Sequence, residues 1–207
     1  YLPSVSMNAQ VELNGNLLGQ QGRMHEPVTR HFYTPLIFAL PPALLQPPGQ
    51  GNELRILLMG YRLYRSGLAP VSVGAAEPLQ QAWATRHFWQ NTGTLITSVL
   101  VLGLALGGAL LWLRAPRRRM YGWFSLAATV WGLRNLNFVL TDNPWSNLWW
   151  NQASLAGAAG FVGLFALFTL EYSRWMRRLP PPGWRLMALP LGYVLICLLL
   201  LLLPVDT

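Results

Sequence analysis

Two hydrophobic rhythms divide this chain. Up to about residue 90 the apolar positions alternate with polar ones or form short runs, and beyond residue 94 they merge into four long stretches. In the first part, Ser4 to Leu13 (SVSMNAQVEL) alternates with period two over most of its length, the signature of a half-buried strand. Asn14-Gly15 follows, a strong signal for a two-residue hairpin turn, and Asn16 to Leu18 starts the returning strand. Thr34 to Leu40 (TPLIFAL), Glu53 to Met59 (ELRILLM) and Pro70 to Val73 read as further strands. Pro41, Pro42, Pro47, Pro48, Gly49 and Gly51 punctuate the loop between the first two of these. The pattern predicts about five strands, fewer than the roughly eight of a closed jelly roll, so the sheet is expected to be incomplete at its N-terminal side.

The four apolar stretches cover about residues 95–113, 120–140, 149–170 and 186–203. The first, LITSVLVLGLALGGALLWL, carries no charge, and about 19 residues at 1.5 Å each make a rod of roughly 28 Å, close to a bilayer core of about 30 Å. Tryptophans gather at the segment ends, where an amphipathic ring suits the headgroup zone. The predicted fold is a membrane protein of the α plus β kind. It has a partial, jelly-roll-like extracytoplasmic β-sandwich over residues 1–90, then a bundle of four transmembrane helices over 94–207.

Charge orients this plan. Arg114, Arg117, Arg118 and Arg119 lie between segments one and two; Arg174, Arg177, Arg178 and Arg185 lie between three and four; Thr141 to Asn147 holds Asp142 and no basic residue. Basic loops stay in the cytoplasm, which puts the β domain outside in a multi-pass membrane protein. Composition agrees: 53% of residues are hydrophobic and 11% charged, against about 25% charged in a typical soluble domain. The net charge of +8 comes from arginines placed mostly in or beside apolar segments, which argues for a lipid bilayer and against nucleic acid as the partner. The single cysteine, Cys197, sits in an apolar run and offers neither disulfide nor metal spacing. No signal peptide precedes Tyr1 although the orientation requires export, so the chain is expected to be a fragment.

Certain residues carry a family likeness. They are Val11-Glu12-Leu13-Asn14-Gly15-Asn16-Leu17-Leu18-Gly19, then Pro35-Leu36-Ile37-Phe38-Ala39-Leu40-Pro41, Asn52-Glu53-Leu54, and the junction Arg86-His87-Phe88-Trp89-Gln90 just before the first long apolar segment. In that order the layout resembles the bacterial seven-transmembrane receptors with diverse intracellular signalling modules. The resemblance implies a carbohydrate-binding-like jelly roll outside, seven helices, and a histidine kinase or diguanylate cyclase as cytoplasmic output. The chain departs from it by holding four apolar segments and no kinase or cyclase signature, so it is expected to be the non-enzymatic sensor portion of a longer protein.

Candidate functional residues fall into three groups. Arg30, His31, Tyr33, Tyr61, Arg62 and Tyr64 mix aromatic and donor groups suited to a small carbohydrate or carboxylate, though a solvated sheet face would use the same types. Arg134, Asn135 and Asn137 form an intramembrane polar cluster, where an arginine costs roughly 2.5–3.5 kcal/mol to insert and needs compensation from Asn137 or Trp131. Gly103 and Gly107 in segment one, and Gly160 and Gly163 in segment three, supply small-residue faces for helix packing or a homodimer seam. Glu171 has Arg174 and Arg178 as its expected ion-pair partners. His25, His31 and His87 share no ligand spacing, and no metal or cofactor is expected. The alternatives to a receptor are a transporter or channel component, or a membrane anchor for an exported adhesive domain.

Overall fold

The computed structural model describes residues 1–25, 28–60, 67–142, 146–180 and 183–200. The chain is α plus β, and contacts divide it into two compact units: Tyr1–Thr94 with Phe138–Ser146, and Leu95–Asn137 with the chain from Asn147 onward.

The first unit is built on one antiparallel sheet of three strands, β1 (Asn8–Leu13), β2 (Asn16–Gln21) and β3 (Leu54–Met59), in the order β2-β1-β3. Asn14 and Gly15 turn the hairpin at φ of 51° and 80°, the pair of left-handed residues that a tight turn matching strand twist requires. Asn14 also anchors the Pro-rich loop: its Nδ2 donates to the Leu44 carbonyl at 2.8 Å and its Oδ1 accepts from the Glu53 N–H at 2.8 Å. Because β1 is central, its side chains are enclosed. Ala9 and Val11 pack with Leu2, Val5 and Leu36, and Phe38, Ile56 and Val71 close over that cluster.

Two of the expected strands do not form. Thr34 to Leu40 contributes a single bridge, Leu36 to Leu2, and Pro70 to Val73 contributes none, its neighbour Leu68 bridging Val5. Pro35 and Pro70 have no N–H to give to a ladder, so these segments run beside the sheet without joining it. Among the described residues one three-stranded sheet therefore replaces the jelly-roll-like sandwich.

Helix begins earlier than hydropathy suggests. Helix α1 (Ala76–His87), a wider π-type turn over Phe88–Thr92 and α2 (Gly93–Arg114) form one helical stretch of 39 residues, Ala76–Arg114. No residue of α1 is buried, so it carries no apolar stripe to betray it. Its start is nonetheless marked by Glu77 and Pro78 in the first turn, where a carboxylate meets the helix dipole and a missing N–H costs nothing.

The second unit adds α3 (Arg119–Asn135), α4 (Asn147–Met176) and α5 (Trp184–Leu200) to α2. Helix α4 is the middle layer, packed against α3 and α5 around Ala127, Leu164, Leu167 and Met187. Among the described residues two helices are long and apolar enough to cross a membrane, Ala76–Arg114 and Asn147–Met176. Of the other two expected spans, the one over residues 120–140 is shorter. Helix α3 has 17 residues and stops at Asn135, where Asn137 and a 3-10 turn over Leu136–Phe138 replace the apolar run; α5 is described as far as Leu200 and contains Pro190.

Candidate functional site

A cavity of about 530 Å³ opens in the β unit. Val11 and Ile56 of the sheet form one wall, Phe38 and Val71 line it from the loops, and Leu79 and Gln80 reach it from α1. Among the described residues no charged side chain lines it, and Tyr1, Ser72 and Gln80 are its polar side chains. Such a volume lies within the range of small-molecule sites, and its apolar walls with a few polar groups have the usual composition. Helix α1 is held in place by Trp83, whose Nε1 donates to the Pro35 carbonyl at 2.9 Å.

The same unit holds a buried polar network centred on Asn8, which is fully enclosed. Its Oδ1 accepts from His31 Nδ1 at 2.8 Å and from the Thr29 hydroxyl at 3.2 Å, and its Nδ2 donates to the Arg23 carbonyl at 2.7 Å. The other His31 nitrogen, Nε2, faces the Gln21 side-chain amide nitrogen at 3.3 Å. A carbonyl oxygen on one side and an amide donor on the other assign the neutral tautomer with the proton on Nδ1. Burial holds the His31 pKa below the usual histidine value, with Asp142 pulling weakly the other way. Gly22 completes the enclosure: it sits at φ 80°, and a Cβ there would overlap the Asn8 and Thr29 side chains.

The connection between α3 and α4 belongs to this unit. Arg23 pairs with Asp142 at 2.6 Å, the Arg30 N–H donates to the Thr141 carbonyl at 2.9 Å, and Tyr33 meets Phe138 edge to face at 4.6 Å. Two of the residues singled out for a carbohydrate or carboxylate are thus at this contact, Arg30 buried and Tyr33 half-buried, while His31 is buried in the Asn8 network. Tyr61, Arg62 and Tyr64 lie outside the described residues.

In the helical unit the Arg134 guanidinium lies over the Trp131 ring, 5.3 Å from its centre. Asn135 is buried, and Asn137 accepts a 2.7 Å hydrogen bond from Trp150 of α4. Gly163 marks the close approach of α4 and α5, since a Cβ there would lie 2.5 Å from Val194. Gly103, Gly107 and Gly160 meet no neighbouring atom within 4 Å of such a Cβ. Glu171 does not pair with Arg174 or Arg178: its Oε1 is buried without a hydrogen-bond partner, and Arg174 Nε donates instead to the Pro180 carbonyl at 2.7 Å. Helix geometry brings i and i+3 near each other, but a competing carbonyl at the helix end accepts from the Arg174 Nε–H instead.

The cavity and the Asn8 network went unread in the sequence, because their parts come from segments far apart in the chain. The one local signal was Asn8, a polar residue in an alternating strand. No family model, curated protein or solved structure matches the chain.

Proposed function

We propose that this chain is the sensory portion of a bacterial transmembrane signalling receptor, with the β unit outside the inner membrane and the output enzyme, a histidine kinase or diguanylate cyclase, beyond these residues. One observation carries the reading: the cavity takes part of its wall from α1, and α1 runs on as helix into α2. Molecules that enter the cavity therefore touch the same rod that continues into the helical unit. The contacts of Arg23, Arg30 and Tyr33 with the α3–α4 connection supply a second link. A ligand that binds two arrangements of these links unequally shifts their populations, which is all that relay requires.

Membrane insertion is supported by the two long apolar helices and by the uncovered apolar side chains of α2, Val99, Leu104 and Leu106 each being 61–62% exposed. In this reading α3 and α5 complete a four-helix bundle, the 17 described residues of each giving roughly 26 Å, with the arginine-rich turns on the cytoplasmic side. The mostly apolar walls of the cavity favour a small apolar or amphipathic ligand over the carbohydrate or carboxylate that the sequence suggested.

The test is thermal unfolding of the full chain in nanodiscs against a panel of short-chain alcohols, fatty acids and monosaccharides. A binder is expected to raise the midpoint, Ile56→Trp to abolish the rise by filling the cavity, and the binder to alter the spectrum of a nitroxide on Leu113→Cys in a Cys197→Ala background. Binding that leaves the nitroxide signal unchanged would refute a relay.

A further inference from the structure

At the end of the helical unit where α2 meets α3, two hollows adjoin. One is a groove of about 720 Å³ lined by Gly103, Gly107 and Leu111 of α2, Phe124 of α3, and Phe168 and Tyr172 of α4. The other is a smaller hollow of about 160 Å³ lined by Arg117, Arg118, Arg119 and Arg174, together with Glu171. Met120 and Trp175 line both, so the apolar groove runs into the basic hollow. Glycine at 103 and 107 leaves the groove open where larger side chains would fill it, and Arg114 stands on its wall.

We infer that these hollows form one site for an anionic phospholipid with a hydroxyl-bearing headgroup. The acyl chain lies in the groove, the phosphodiester against Arg118, Arg119 and Arg174, and a headgroup hydroxyl donates to Glu171. This assignment rests on the membrane reading above, with this end at the cytoplasmic leaflet.

Three observations select that occupant. Four guanidinium groups face one carboxylate, an excess of positive charge that a phosphodiester offsets and a zwitterionic headgroup does not. None of the four has a carboxylate within ion-pair distance among the described residues, so their charge is not spent inside the protein. The buried Oε1 of Glu171 lacks a donor, and a headgroup hydroxyl brings one where a bare phosphate cannot. Trp175, 49% exposed on the shared wall with Arg118 5.8 Å over its ring, is placed to report on the occupant.

The test uses the full chain in phosphatidylcholine nanodiscs containing a fraction of lipid brominated on its acyl chains, with the Trp175 signal taken as the difference from Trp175→Phe. Brominated phosphatidylglycerol is expected to quench Trp175 with about tenfold preference over brominated phosphatidylcholine. The preference is expected to fall within about twofold of unity in Arg118→Gln/Arg119→Gln, and to weaken about threefold in Glu171→Gln. Gly107→Leu, which fills the groove and leaves every charge in place, is expected to abolish quenching by either lipid. Equal quenching by phosphatidylcholine, stronger quenching by phosphatidylethanolamine, or loss of the preference when inorganic phosphate is added would each overturn the assignment. So would energy transfer between two labelled copies with no lipid quenching, which would give the groove to a second chain. A chain that stays in solution once detergent is removed sinks the membrane reading and this site with it; retention in the nanodisc without lipid preference sinks the site alone.

Discussion

Replacing Asn8 by alanine removes the acceptor for His31 Nδ1 and Thr29 Oγ1 and the donor to the Arg23 carbonyl at one stroke. The Thr29 hydroxyl can turn toward another acceptor. The His31 N–H, fixed by its ring, loses that acceptor, and the Arg23 carbonyl loses the Asn8 donor. A buried polar group left unsatisfied costs about 1–3 kcal/mol, so losing three buried hydrogen bonds at once, eased by some local relaxation, should destabilise the β unit by about 2–4 kcal/mol. That is a large share of the roughly 5–15 kcal/mol that holds a typical domain together. Hydrogen exchange of the β1 amides in the full chain reads this directly, because those amides are protected by the sheet that the network braces. The expected change is a 30- to 1,000-fold acceleration, at about tenfold per 1.4 kcal/mol. Acceleration below about threefold, with the sheet still formed, would show that the network contributes no stability and that the reasoning is wrong.

Other outcomes follow from the same geometry. Gly22→Ala is expected to destabilise the β unit by at least about 2 kcal/mol, since it adds a left-handed alanine and drives its Cβ into Asn8 and Thr29; β1 exchange measures it. Because the folded His31 pKa lies below its unfolded value, the unfolded state binds the proton first; β-unit stability should hold above about pH 6.5 and fall as pH drops from there through the folded pKa, and His31→Gln should flatten that fall. Arg23→Ala is expected to cost no more than about 1 kcal/mol in thermal unfolding, because both partners of its ion pair with Asp142 are well exposed. Alkaline phosphatase fused after Pro116 or Leu179 should be inactive and fused after Asp142 active; activity at Pro116 would invert the proposed topology.

Some of this architecture was legible locally. The turn at Asn14-Gly15 needs only two residues that tolerate positive φ, and those residues announce it. The apolar runs that became α2 and α4 needed only length and the absence of charge. Thr34 to Leu40 misled because its apolar pattern fits a strand whatever its backbone can donate; Pro35 withholds the N–H that pairing needs. Helix α1 was missed for the opposite reason, having backbone propensity without an apolar face. Glu171 looked paired because i and i+3 are close on any helix, yet the Pro180 carbonyl had claimed Arg174.

The amino-acid order by itself determined the division at about residue 94, the hairpin and the long apolar helices, since each depends on contacts within a few residues or on bulk hydrophobicity. Only the tertiary structure decided that α1 walls a cavity, that Asn8 gathers Arg23, Thr29 and His31, and that the α3–α4 connection joins the β unit. It also decided that four arginines and Glu171 surround one hollow. Those features need groups far apart in the chain to meet, and packing across the fold, which no local pattern records, sets which ones do.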